Sequence, residues 1–291
     1  MEWSSLAEMA ACAKEQGISL GRLVFLKEVR DMESQESTVF ERMGKNWQVM
    51  KKAVEEGLNN PRKSRGGMIG GDGHKLAVFL KKGSTLSGDI LQAVSRSLAV
   101  AELNASMGKI VAAPTAGSCG IIPGVLTMLQ EKLELSDEAI IYALFAASGI
   151  GLVIAQRASL SGAQGGCQAE CGSAAAMAAA AAVELAGGTP FQVLDAVAIS
   201  LKNNLGLVCD PVAGLVEVPC AKRNALGAAN ALVAADMALA GIRSVIPADE
   251  VIGAMGEIGR AMPETLRETA QGGLAKTPTG AKLAEKFLSL D

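Results

Sequence analysis

Aromatic rings are scarce in this sequence. Two Trp, one Tyr and six Phe make up 3% of its 291 residues, against 49% hydrophobic residues in all. The core must therefore be assembled from small and aliphatic side chains packed at close range. A basic surplus is missing too, since the formal net charge is -3 and the pI is near 5.5. Nucleic-acid binders normally carry such a surplus on one face, so that class of partner is not expected. The N-terminus, MEWSSLAEMAACAKEQG, has an acid at position 2 and no uninterrupted apolar core. It does not read as a secretory leader, and a cytoplasmic address is expected. Long apolar runs are almost absent. The one at 139–155, AIIYALFAASGIGLVIA, approaches the roughly 17 residues that a membrane-spanning helix needs. It stands alone and contains Ser148, Gly149 and Gly151, so it is expected to be a buried helix, with no membrane partner.

Helical signals fill most of the chain. Phe40, Met43, Trp47, Met50 and Val54 recur at steps of three and four residues, which predicts an amphipathic helix over 20–58 ended by Asn59, Asn60 and Pro61. The following stretch, RKSRGGMIGGDGHK at 62–75, is too rich in glycine for a helix interior and predicts a loop. A boundary there divides an N-terminal helical arm, residues 1–65, from a body, residues 66–291. Residues 76–80 fit strand or helix equally. Further helices are expected at 89–107 behind Asp89, at 136–156 behind Ser136, at 174–186, and at 189–202 behind Thr189 and Pro190. Others are expected at 219–240, 248–262 and 280–290. With no βα alternation, the fold class is all-α, with Gly/Pro-rich interhelical loops at 114–124, 161–172 and 206–219.

Six cysteines in a cytoplasmic chain do not form a disulfide scaffold. Cys119, Cys167, Cys171, Cys209 and Cys220 sit in or beside those loops, whereas Cys12 lies in an ordinary helical stretch. Ligand thiolates need glycine-flanked backbone that can turn towards a metal, and buried structural thiols fall on helix faces. No C-x-x-C pair is present, so zinc ribbons and ferredoxins find no support. Distribution alone leaves metal ligation and simple burial both open.

The segments GGCQAECGSAAAMAAAA and NNLGLVCDPVAGLVEVPCAKRNA, with KGSTLSGDI and APTAGSCGIIPG, resemble the blocks of the iron–sulfur L-serine dehydratases, in order from about Gly66 onward. The resemblance implies a [4Fe-4S] cluster with Cys167, Cys209 and Cys220 as ligands, three loops that must converge despite separations of 42 and 11 residues. It leaves Cys171 as a small buried neighbour and Cys119 unassigned. It implies L-serine as substrate and pyruvate and ammonia as products, with an open iron acting as a Lewis acid on the hydroxyl and carboxylate. Single-chain members carry a further domain with an S-S-H-T-G-P motif that residues 1–65 do not match. This sequence therefore resembles the α chain of the two-subunit form and is expected to need a separate β subunit.

Other candidates follow from residue type. Thr115, Gly117 and Ser118 precede an apolar helix, where backbone N–H groups and hydroxyls suit a substrate carboxylate, with Ser118 also a catalytic candidate. Ser84 and Thr85 are either substrate contacts or helix caps. His74, the sole histidine, sits beside Lys75, and both are candidates for proton transfer. Lys222 and Arg223 either balance cluster charge, hold a carboxylate, or are solvated helix residues. The alternatives are a related iron–sulfur lyase acting on L-cysteine or L-threonine and, in a different class, a helical scaffold or membrane protein.

Overall fold

The computed structural model describes residues 3–83 and 87–289. Among them are thirteen α-helices and no strand. In chain order they are α1 (Leu6–Gln16), α2 (Leu20–Asp31), α3 (Glu36–Asn59), α4 (Asp72–Leu80), α5 (Ile90–Ala105), α6 (Ile121–Lys132) and α7 (Asp137–Arg157). There follow α8 (Gly162–Gly165), α9 (Ser173–Leu185), α10 (Pro190–Lys202), α11 (Cys220–Leu239), α12 (Ala248–Ala261) and α13 (Pro278–Leu288). The all-α class agrees with the sequence pattern, whereas the loop expected over 161–172 is largely taken up by α8 and a π-helical turn at Gln168–Gly172, and α6 starts at Ile121, inside the loop expected over 114–124.

The alanine helix α9 is the axis of the fold. It packs against α6, α7, α10 and α11, and every residue from Ser173 to Val183 is buried. Side chains of one carbon let four neighbours approach on all sides, which a helix of larger residues would prevent. The apolar run 139–155 lies in α7, packed against α9 and α2. Its glycines are approach points: a Cβ on Gly149 would lie 2.5 Å from Val24 Cγ2, and one on Gly151 would lie 2.9 Å from Met177 Cε. α7 is the one described helix long and apolar enough to cross a membrane, and 67% of its most apolar window is buried inside the fold.

The N-terminal helices join this core rather than trailing from it. Leu6, Leu23, Phe25 and Trp47 share one buried cluster with Ile140, Ile150 and Val197. The scarce rings are pooled here, with Phe25 edge-on to Phe40, Tyr142 and Phe145 at centroid distances of 6.3, 5.6 and 5.2 Å. Asp137 pins the N-terminus of α7 to α3 and α6 by accepting from Trp47 Nε1 at 2.9 Å, Lys51 Nζ at 2.7 Å and Gln130 Nε2 at 2.8 Å.

Two further expectations need correction. The helix expected over 20–58 is two helices, α2 and α3, because residues 31–36 (DMESQE) offer no apolar face to bury and Glu33 turns the chain at φ 46. The loop expected over 62–75 ends at Gly71, so His74 and Lys75 are helical. A distant residue causes this: Glu102 on α5 accepts the N–H groups of Gly71, Asp72 and Gly73 at 3.0, 2.8 and 3.2 Å, capping α4 from outside. The remaining loop is held by buried Glu217, which accepts from Ser64 Oγ and Gly66 N, both at 2.6 Å.

Close helix approach makes two glycines respond oppositely to the same substitution. Gly57 on α3 faces α5, and a Cβ there would lie 2.3 Å from the Ala99 carbonyl oxygen. Gly57→Ala is expected to lose about 1–3 kcal/mol through overpacking. A Cβ on Gly253 in α12 meets nothing within 4 Å, so Gly253→Ala should gain up to about 1 kcal/mol from helix propensity. Urea denaturation of the two variants beside the parent checks both signs.

Candidate active site

The three Gly/Pro-rich breaks meet near the N-termini of α9 and α11. After α8 the chain turns at Gly166, with φ +74, where a Cβ would lie 2.7 Å from Met262 Sδ and 2.8 Å from the Leu207 carbonyl oxygen. Only glycine permits this approach. Cys167 follows, and residues Gln168–Gly172 form one π-helical turn leading into α9, a widened geometry that recurs at functional sites. Gln168 is fully buried and joins two breaks. Its N–H donates to Leu207 O at 3.0 Å, its Oε1 accepts from Gly206 N at 2.9 Å, and its Nε2 donates to Met255 O at 3.0 Å.

Cys209 is clamped from the other side by an isolated parallel bridge. Its N–H donates to Leu266 O at 2.8 Å, and its carbonyl accepts from Glu268 N at 2.7 Å. Cys220 is the first residue of α11. One turn on, Asn224 donates to Gly117 O at 2.7 Å and to Cys220 O at 3.0 Å, and accepts from Gly120 N at 2.9 Å. A single buried amide thus holds the Thr115–Gly120 turn against the start of α11.

Cys167, Cys171, Cys209 and Cys220 are all buried and lie within electrostatic reach of one another. The Cys171 thiol hydrogen-bonds to Cys167, and Arg223 adds positive potential, so Cys167 is the thiol of that pair that ionises more easily while Cys171 is pushed up. Burial raises Cys209 strongly and pushes Cys220 up to about 12. Cys119, also raised to about 12 by burial, lies elsewhere, in an apolar cluster with Ala53, Val54, Val100 and Leu103.

Glu170, between the paired cysteines, was not singled out by the sequence reading. Its Oε1 accepts from Thr115 Oγ1 at 2.8 Å, and its Oε2 is 3.8 Å from Cys209 Sγ. Ligand atoms of Glu170, Cys209 and Glu268 lie within 4.8 Å of one another. Burial, and next the charge of Glu268, raise Glu170 against the lowering hydrogen bond from Thr115. A signal for it was present: Glu170 is the sole charged residue between Arg157 and Glu184.

Arg223 closes the site. Its Nη2 donates to Asp210 Oδ1 at 2.7 Å with both side chains largely buried, and its Nη1 is buried without a hydrogen-bond partner. Buried guanidinium N–H groups rarely go unmatched. Sulfur donors around a spare cationic N–H fit an anionic, thiolate-bound metal group, because metal binding displaces thiol protons that burial otherwise retains.

The remaining candidates are placed as follows. Thr115 and Ser118 hydroxyls are 3.2 Å apart, and a Cβ on Gly117 would lie 3.1 Å from Glu170 Oε1. His74 has Nδ1 2.7 Å from the Leu58 carbonyl oxygen, and Lys75 pairs with Asp72 at 3.0 Å. Asp72 also pairs with Lys222, tying the first turn of α4 to that of α11. Ser84 and Thr85 lie outside the described residues.

Residues 15–275 match the sequence profile described as serine dehydratase alpha chain. The chain belongs to this family. It is 54% identical over 284 residues to a probable L-serine dehydratase, alpha chain, of Bacillus subtilis, covering 97% of this chain and 94% of that one. It is 45% identical over 282 residues to the L-serine dehydratase, alpha chain, of Peptoniphilus asaccharolyticus, covering 97% of each. It is also 39% identical over 280 residues to L-serine dehydratase 1 of Escherichia coli, where the match covers 94% of this chain and 61% of that protein.

The amide that joins the turn to α11 generates a test for this member of the serine dehydratase alpha chain family. Asn224→Ala orphans the Gly120 N–H and the Gly117 carbonyl, at about 1–3 kcal/mol for each group left unmatched. Stability should fall accordingly. Hydrogen exchange should speed up at residues 117–120 more than in the centre of α9, as measured by mass spectrometry.

Proposed function

We propose that this chain is the α chain of an L-serine dehydratase that acts with a separate β chain to convert L-serine to pyruvate and ammonia. The observation that carries the reading is the gathering of buried Cys167, Cys209 and Cys220 within electrostatic reach of one another, with Arg223 and its unmatched Nη1 acting on Cys167 and Cys220. The names of the matching alpha chains support the substrate and the β partner.

In this reading Cys167, Cys209 and Cys220 hold a [4Fe-4S] cluster, and Cys171 stays a neighbour. Bound there, the cluster would supply a Lewis acid to the substrate's oxygen atoms. The Thr115–Ser118 turn, with its paired hydroxyls and the bare Cα of Gly117, receives the substrate carboxylate beside Glu170. Glu170 is the group set to take the α-proton: Thr115 fixes Oε1, and Oε2 faces the thiols. Burial of the four thiols and of Gln168 keeps bulk water from the reacting atoms. Loss of the α-proton and of hydroxide leaves aminoacrylate, which water converts to pyruvate and ammonia. His74 and Lys75, in the first turn of α4, are kept as proton-transfer candidates, with His74 Nε2 as the acceptor nitrogen when Nδ1–H donates to Leu58 O.

Anaerobic reconstitution with iron, sulfide and the β chain tests the reading. Brown protein forming pyruvate from L-serine faster than from D-serine, L-threonine or L-cysteine is the expected result. Colourless protein without bound iron would overturn the cluster, and preference for L-cysteine or L-threonine would reassign the substrate. Cys209→Ser should lose iron and lower activity by more than about two orders of magnitude, because an alkoxide replaces thiolate poorly on iron. Cys171→Ser should keep iron and measurable activity. Equal iron loss in both variants would show that the ligand set is wrong.

A further inference from the structure

A cavity of about 360 Å³ opens between α12 and the segment that carries Cys167, with Arg260 and Arg267 in its lining. Neither guanidinium has an ion pair or side-chain hydrogen bond among the described residues, and Arg267 Nε is buried without a partner. Among the described residues, no Asp or Glu lines the cavity. The polar neighbours are already engaged: Gln168 through both ends of its amide, and Gln164 Oε1 by the Ser159 hydroxyl at 2.8 Å. The side-chain donors left for a ligand are therefore the two guanidiniums and the Nε2 of Gln164. Arg267 is half-buried with its Nε unmatched and Arg260 stands exposed in the same lining, so an anion with paired oxygens would match the first and be drawn in by the second.

The rest of the lining narrows the anion. Ala158, Ala163, Ala169 and Met255 supply an apolar wall, which suits a short carbon skeleton better than a fully hydrated phosphate. An ammonium group would be repelled by both arginines, so a zwitterionic amino acid is disfavoured. We propose that this cavity binds a small carboxylate without an ammonium group, of the 2-oxo acid class, through Arg267 and Arg260. The site is separate from the thiols yet touches the segments that carry two of them. Gly165 and Gln168 bracket Cys167 in the lining, and Arg267 lies in the backbone bridge that clamps Cys209. Occupancy therefore bears on how firmly both segments are held.

Isothermal titration of the full chain, purified anaerobically, with pyruvate, L-serine and inorganic phosphate as separate probes, tests this. Pyruvate should bind, and the binding that Arg260→Gln removes should be at least about tenfold weaker for L-serine and for phosphate. Arg260→Gln and Arg267→Gln should each weaken pyruvate by about tenfold or more. Arg260 is exposed, so its variant decides the matter if Arg267→Gln fails to fold. Unchanged pyruvate affinity in Arg260→Gln, Arg260-dependent binding of phosphate or L-serine as tight as that of pyruvate, or no pyruvate binding by the parent would each overturn the proposal. Serine turnover with the β chain is a separate readout, so failure here leaves the proposed activity standing, and the reverse also holds.

Discussion

Close backbone approach around α9 is the constraint on which the rest of the structure depends. A helix whose buried residues are almost all alanine gains little from any one contact, so its stability comes from having four neighbours at short range. That geometry fixes where the chain leaves the bundle. The loops before α9 and α11 emerge side by side because the two helices pack against each other. Residues 42 positions apart, such as Cys167 and Cys209, are brought together by the same packing.

Burial then sets the chemistry of those loops. Thiols in water ionise within reach of neutral pH, but Cys209 and Cys220 are held protonated by desolvation unless positive charge arrives. Arg223 supplies one such charge and is itself kept in place by Asp210. Asp210 also accepts the Leu274 N–H at 2.7 Å, so the guanidinium is oriented by a residue with a second structural duty. Glu170 opposes this charge from inside the same pocket. The site balances acid, thiol and guanidinium at close quarters, with little water to screen them.

Much of this was legible in the sequence, for identifiable reasons. Thr189 and Pro190 announce α10, and the structure has the full capping box with Gln192. Ser136 and the acids after it announce α7. These signals are local and so can be read locally. The start of α4 could not be read that way, because its cap is Glu102, some thirty positions further on. The break at Glu33 was hidden by apolar periodicity on both sides. At the site, cysteines in glycine-rich loops drew notice, whereas Glu170 and Asn224 did not. Their importance lies in what they touch, Thr115 and Cys209 for the first and the 117–120 turn for the second.

The bridge between Cys209 and residues 266–268 has a consequence for biosynthesis. During vectorial synthesis the chain bearing Cys209 is made well before the segment that clamps it, and Gly273 and Leu274 follow later still to engage Asp210. The alanine core can therefore condense while this corner is still unfinished. The pocket is clamped only once residues 266–274 have been made, so its closure follows the condensation of the helices that precede them.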